Sequence, residues 1–200
     1  MRLINTATLQ FEEFIRQNIP EYAILSHTWE EEEVSFADII LKTCEIAQSE
    51  GHGYAWVDTC CIDKSSSAEL TEAINSMFKW YQNAKVCYAF LSDFPASADS
   101  NEALEICRWF TRGWTLQELI APRDVTFFRQ DWTKPLRSIA VAQKMSWAAF
   151  RETTRVEDMA YSLLGIFDVN MPMLYGEGEK AFRRLQEEII RSTSDLSILA

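Results

Sequence analysis

The run Arg112-Gly113-Trp114-Thr115-Leu116-Gln117-Glu118-Leu119 carries the residue best suited to chemistry in this chain. Gly113 fits a tight turn, and Glu118 then falls on a short helix between the apolar anchors Trp114 and Leu119. A carboxylate held there would stabilise a developing positive charge or move a proton. An ordinary glutamate on a surface helix is the competing reading, and the run alone leaves both open.

A second set of polar residues gathers at the ends of apolar runs. The run Tyr22–Ser26 delivers Ser26, His27, Thr28 and Trp29; Tyr54–Asp58 delivers Asp58, Thr59, Cys60, Cys61 and Asp63; Lys85–Leu91 delivers Ser92 and Asp93. With Asp124–Phe128 these runs are strand-length and rich in β-branched or aromatic residues, as buried parallel strands are. Ligands of open parallel sheets bind outside the carboxyl ends of the strands, where strand order reverses. Hydroxyls, carboxylates, an imidazole and an indole would therefore line one polar, partly aromatic pocket. Simpler duties compete, with Asp58 capping a loop and Trp29 plugging the sheet edge.

Other chemistries fit less well. His27, Cys61 and Asp58 supply the residue types of a thiol hydrolase, but no local signature accompanies them. A zinc site from His27, Cys60 and Cys61 is weaker, because adjacent cysteines on an extended chain point to opposite sides and no CxxC pair is present. No metal is therefore expected. Neither GxGxxG nor GxxxxGK[ST] occurs, which speaks against a dinucleotide-binding dehydrogenase and a P-loop NTPase.

The elements that must hold these residues alternate between strand and helix. Ser35 would cap a helix carrying Phe36, Ile39, Ile40 and Ile46, and Leu70, Ile74, Met77, Phe78 and Tyr81 recur on one helical face. Ser66 and Glu69 form a capping-box pattern ahead of that second helix. Alternation of this kind implies parallel pairing through crossovers, hence a doubly wound α/β sheet over residues 1–132. From about Thr133 the strand signals stop. Residues 136–150, 156–166 and 177–192 read as helices, the last with Phe182, Leu185 and Ile189 on a common face, and residues 133–200 read as a helical extension packed on the sheet.

Bulk properties narrow the class. The chain has 200 residues, 48% hydrophobic, 12% aromatic with seven Trp, which supports a folded core rather than disorder. A formal net charge of −11 leaves no basic stripe for tracking a nucleic-acid backbone. The run Glu30-Glu31-Glu32-Glu33 reads as a solvated loop. No apolar run reaches the roughly 18 residues of a membrane span, and the N-terminus lacks a signal-peptide apolar region. The five cysteines, an odd number set mostly in apolar runs, fit reduced thiols and a cytoplasmic location.

Three blocks carry a family resemblance. Ala23-Ile24-Leu25-Ser26-His27-Thr28-Trp29, Trp56-Val57-Asp58-Thr59-Cys60-Cys61-Ile62-Asp63 and Arg112 through Pro122 resemble, in order, those of the fungal HET (heterokaryon incompatibility) domain, over about residues 22–130. The stretch from Arg155 through Gly176-Glu177-Gly178-Glu179-Lys180 resembles the region that follows them. The resemblance implies a role in fungal non-self recognition and regulated cell death, and a distant kinship with TIR domains, whose sheet is flavodoxin-like. Trp114, Glu118 and Leu119 keep the spacing of the plant-type TIR Trp-Cys-x-x-Glu-Leu stretch, in which the glutamate cleaves NAD+; Thr115 departs from its Cys. The loop after the first strand also departs from the TIR pattern.

By that resemblance Glu118 is the catalytic residue of an NAD+ glycohydrolase, acting on the N-glycosidic bond of NAD+ or a related nucleotide. NAD+ enters as substrate, with no cofactor. Ser26, His27, Trp29, Asp58, Cys61, Asp63, Ser92 and Trp114 are the substrate-binding candidates, Trp29 by stacking on a ring. Backbone N–H groups would take the pyrophosphate of this acidic chain. Self-association is expected as well. The alternative is a non-enzymatic, self-associating signalling module in which Glu118 is structural.

Overall fold

The computed structural model describes residues 1–15, 18–28, 36–94, 107–133 and 151–192. Trp29, the Glu30–Glu33 run, the Ser35 cap and the helix expected at 136–150 lie outside them.

The centre of the fold is dictated by two runs that are apolar on both faces. Strands β3 (Ala23–His27) and β5 (Val86–Phe90) are buried along almost their whole length and pair in parallel from Ala23↔Val86 to His27↔Phe90. Flanking them are β4 (Tyr54–Trp56) on one side and β6 (Val125–Phe128) on the other, also parallel. In chain order these four strands lie second, first, third, fourth, the opening order of flavodoxin-like sheets, so strand order reverses between β3 and β5. The fold is α/β, with a mostly parallel sheet flanked by helices, as its sequence implies.

Two further strands carry no strong sequence signal. β1 (Arg2–Asn5) and β2 (Phe11–Glu13) form an antiparallel hairpin, and β1 pairs antiparallel with β4 to complete a six-stranded sheet of order β2-β1-β4-β3-β5-β6. The Asn5 carboxamide oxygen accepts the N–H groups of Ala7 and Thr8, shaping the turn. Only Leu3 and Ile4 of β1 are buried, too short an apolar run for periodicity to declare. The hairpin covers what would otherwise be an open edge at β4.

Helices α1 (Phe36–Ser49) and α3 (Ser67–Asn83) make the crossovers, with a one-turn α2 (Asp58–Cys61) after β4. β4 is shorter than its apolar run because the chain turns at Val57, whose carbonyl accepts Cys61 N–H at 2.9 Å. α3 buries Ala73, Ile74, Met77 and Tyr81 on one face. Its cap is half of the expected box. Ser66 Oγ accepts Glu69 N–H at 3.3 Å, but the Glu69 carboxylate accepts Asp63 N–H at 2.8 Å instead of reaching back to Ser66.

Two short helices, α4 (Arg108–Thr111) and α5 (Thr115–Ile120), precede β6. Beyond Arg151 come α6 (Asp158–Tyr161) and α7 (Lys180–Ser192). The helix expected over 156–166 is one regular turn continued by turns. α7 begins later than its pattern because Gly176 and Gly178 adopt left-handed φ of 101° and 61°, and both donate their N–H groups to the Glu157 carboxylate, at 2.8 and 3.0 Å. Leu185 and Ile189 of the expected face are buried, but Phe182 is 38% exposed and Ala181 takes its place. Ala181, Leu185 and Ile189 pack with Tyr161 and Leu164 against Ile74 of α3. Among the described residues no helix is long and apolar enough to cross a membrane.

Gly165 lies so close to α3 that a Cβ on it would run into the Phe78 side chain. Gly165→Ala is therefore expected to destabilise the fold by about 1–3 kcal/mol, the usual penalty of overpacking. Urea denaturation checks this, and an unchanged midpoint would contradict the close packing of this segment on α3.

Candidate functional site

Glu118 reaches the interior because a short, heavily tied segment aims α5 at the end of the sheet. The Thr115 hydroxyl shares its proton between the carbonyls of Trp109 and Arg112, and accepts from the Arg151 guanidinium at 2.5 Å. Arg151 also donates to the Arg112 carbonyl at 2.7 Å. Gly113 donates to the Glu152 carbonyl at 2.8 Å, and a Cβ at Gly113 would collide with Thr153, so the close approach requires glycine. Trp109 is fully buried and donates its indole N–H to Ser26 Oγ at 2.6 Å. Leu119 packs with Phe110 and Phe127, and Trp114 bridges the sheet core and the C-terminal cluster.

The Glu118 side chain thus sits at the carboxyl end of β3, only 8% exposed. Burial pushes its carboxyl up to about 8, and the nearby Asp58 charge adds to the rise. Hydrogen bonds with Ser26 and Tyr81 and the positive charge of Arg151 oppose it without winning. Near neutral pH Glu118 is mostly a carboxylic acid. The Tyr81 hydroxyl also bonds the Leu25 carbonyl at 3.1 Å and has one proton to give. A protonated Glu118 donates to Tyr81, which donates to Leu25; an ionised Glu118 claims the Tyr81 proton for itself.

Glu118 opens into a cleft of about 290 Å³. Asp58, Lys64, Arg112 and Trp114 form its walls, Ile74 and Met77 of α3 its apolar floor, and Arg155 and Tyr175 a further side. The Arg155 guanidinium lies 4.5 Å from the Tyr175 ring centre, a cation–π contact that steadies that side. Asp58 is 3.6 Å from Lys64 Nζ and 3.8 Å from His27 Nδ1. Burial lowers the His27 pKa against the pull of Asp58, so the imidazole is neutral. The side chains of Asp58 and Asp158, the neutral carboxyl of Glu118, the cations of Lys64, Arg112 and Arg155 and the Trp114 indole therefore meet around an apolar floor, a combination suited to a polar ligand with a planar ring.

The structure gathers some of the sequence-predicted residues and separates others. Glu118, Asp58 and Trp114 line the cleft. Ser26 is 1% exposed and acts behind it, linking Trp109 to Glu118, and His27 stands beside Asp58. Cys61 does not reach the cleft. Its sulfur accepts Val57 N–H at 3.4 Å, it borders a separate hollow with Met1 and Arg2, and its interaction with Cys60, then burial, keep the thiol protonated. A thiol held protonated in this way is a poor nucleophile. Asp63 is exposed and outside the cleft, where its carboxylate ties the N–H and hydroxyl of Ser65. Ser92, just past β5, is not on the cleft wall. Trp29 lies outside the described residues. Among those residues no group of three or more His, Cys, Asp or Glu side chains is arranged to hold a metal ion.

Tyr81, Arg151, Lys64, Arg155 and Tyr175 were not singled out as site residues by sequence. Tyr81 sat within an apolar helical face, and only its hydroxyl, which needs a partner when buried, hinted at more. Arg151, Arg155 and Tyr175 come from a segment remote in the chain, where nothing local marks them.

The Glu118 pKa carries a stability consequence. The unfolded chain would titrate this group near the ordinary glutamate value of about 4.3. Since the folded value is higher, its contribution is fully present below the unfolded value and is lost as pH rises through about 8. Glu118→Gln, which cannot ionise, is expected to match the parent near pH 5 and exceed it by a few kcal/mol (roughly, from a shift of this size) above pH 8. Urea titrations at the two pH values test this; a constant difference would mean that Glu118 is not buried as a neutral acid.

Comparison with known proteins follows the same residues. Residues 22–107 match the family model described as heterokaryon incompatibility protein (HET). The vegetative incompatibility protein HET-E-1 of Podospora anserina is 45% identical over 221 residues, covering 86% of this chain and 16% of that relative. The chain thus spans about 16% of the length of the curated relative it matches. No solved structure matches. By its family model, by this relative and by its three sequence blocks, the chain belongs to the heterokaryon incompatibility (HET) family.

Proposed function

We propose that this domain is a fungal incompatibility and cell-death effector that hydrolyses the N-glycosidic bond of NAD+ or a related nucleotide. The observation that carries the reading is Glu118, a buried carboxyl opening into a polar cleft at the switch point of the sheet. The relative's name supports the incompatibility role. In the reaction, the bond between ribose C1′ and the nicotinamide nitrogen breaks, and its electron pair stays with the ring. Water adds to the cationic C1′ and releases a proton. Nicotinamide departs neutral, so no acid is needed to assist it, and the demand falls on a group that stabilises positive charge at C1′. Ionised Glu118 meets that demand and accepts the proton.

The resting protonation of Glu118 fits this sequence of events. A pyridinium ring beside a neutral buried carboxyl favours its ionisation, so a cationic substrate helps to generate the base that acts on it. Free-enzyme activity should accordingly rise with pH through about 8. A second reading, a non-enzymatic self-associating module, draws on the hydrogen bonds of Glu118 to Ser26 and Tyr81, which also suit a structural linchpin.

Chromatography of NAD+ incubated with purified protein separates the two. Nicotinamide release is expected from the parent chain, with a loss on the order of a hundredfold or more in a folded Glu118→Gln variant; equal turnover in the variant, or none in the parent, would overturn the hydrolase reading. Self-association belongs to the same proposal. Turnover per molecule is expected to rise with protein concentration, because assembly follows mass action. A flat dependence, with sedimentation reporting monomer throughout, would contradict it.

A further inference from the structure

A second cleft adjoins the first. It measures about 260 Å³ and shares Arg112, Trp114, Thr154 and Asp158 with the Glu118 cleft. The two are lobes of one groove, divided at Arg112 and Trp114. Their linings differ. The first lobe has an apolar floor from α3, while the second is edged by Thr28, Arg108, Thr111 and Thr153, together with Glu152.

Two observations point to an anionic ligand at the divide. Arg112 forms no ion pair among the described residues, whereas Lys64 pairs with Asp58 and Arg108 approaches Asp93 at 3.7 Å. Its charge also bears on His27, at the carboxyl end of β3. Thr28 is 6% exposed, lines the second lobe, and its hydroxyl has no hydrogen-bond partner. A buried donor without a partner costs free energy unless a ligand or water engages it. In a chain of net charge −11, a guanidinium outside any ion pair among the described residues and an unpartnered hydroxyl on the same lobe offer an anion two donors, even with Asp158 on the shared wall.

We infer that Arg112 and Thr28 form a phosphate-binding divide, with the second lobe taking the nucleoside beyond the phosphates of a nucleoside diphosphate or dinucleotide. This deepens the nucleotide reading and rests on it. A ribose at Glu118 carries its 5′ phosphate one short step away, toward the shared wall. Side chains, rather than the backbone N–H groups expected from the sequence, then neutralise the pyrophosphate. Arg112 supplies a planar fork that matches two phosphate oxygens, which a lysine does not reproduce.

Calorimetric titration of ADP into the full chain tests the site without any turnover, with adenosine as the phosphate-free control. ADP is expected to bind at least about tenfold more tightly than adenosine, and Arg112→Ala to lose about tenfold or more of the ADP affinity while leaving adenosine unchanged. Arg112→Lys should lose less, and Thr28→Val several-fold. Circular dichroism melts identify folded variants, and Arg112→Gln replaces the alanine variant if that one is unfolded. ADP that fails to bind the parent, or binds folded Arg112 variants as tightly, overturns the divide. Arg112-dependent ADP binding without nicotinamide release would remove the hydrolase reading and keep this site. Nicotinamide release with an unchanged KM for NAD+ in Arg112→Ala would do the reverse.

Discussion

The structure turns on one buried acid. Glu118 is withdrawn from water at the end of β3 and held by Ser26 from the sheet and Tyr81 from α3. Each partner is committed elsewhere too, Ser26 to the Trp109 indole and Tyr81 to the Leu25 carbonyl. A charged carboxylate in that place would be costly, and a neutral one completes the hydrogen-bond chain. Strand, helix and the α4–α5 segment are therefore fixed to one another through a single carboxyl group, and its protonation is part of the architecture.

The sheet explains why the carboxyl lies where it does. β3 and β5 are buried on both faces, which makes them central, and the chain must leave them in opposite directions. The reversal opens space beyond their carboxyl ends, and the segment from Trp109 to Leu119 fills it with one fully buried indole and one buried carboxyl. Gly113 allows the chain to approach Glu152 and Thr153 closely enough to seal that corner.

Much of this was legible in the sequence, for identifiable reasons. The four parallel strands were visible because their burial makes them continuously apolar, and Glu118 because Trp114 and Leu119 frame it. Helix α3 declared its apolar face by periodicity. The β1–β2 hairpin was silent, since two buried residues cannot establish a pattern. The face of α7 was legible in Leu185 and Ile189 but not at its start, where Ala181, small and unremarkable, replaces Phe182 in the core. Cys61 and Asp63 followed a strand end as ligand residues do, yet the turn at Val57 swings one into packing and the other to the surface. Arg151, Arg155 and Tyr175 were out of reach, because their importance comes from tertiary contact with a distant segment.

That last point changes how the cleft should be regarded. One side of it is sheet and α3; the other, with Arg155 and Tyr175, belongs to the segment joined to α5 through Arg151, Gly113 and an isolated backbone β-bridge pairing Arg112 with Glu152. A molecule touching both sides acts as a clasp between them. By thermodynamic reciprocity, whatever free energy the clasp adds to the attachment of residues 151–192, firm attachment returns as affinity. Any event elsewhere in the protein that strains or relaxes that seam would therefore tune occupancy of the cleft without touching a residue inside it.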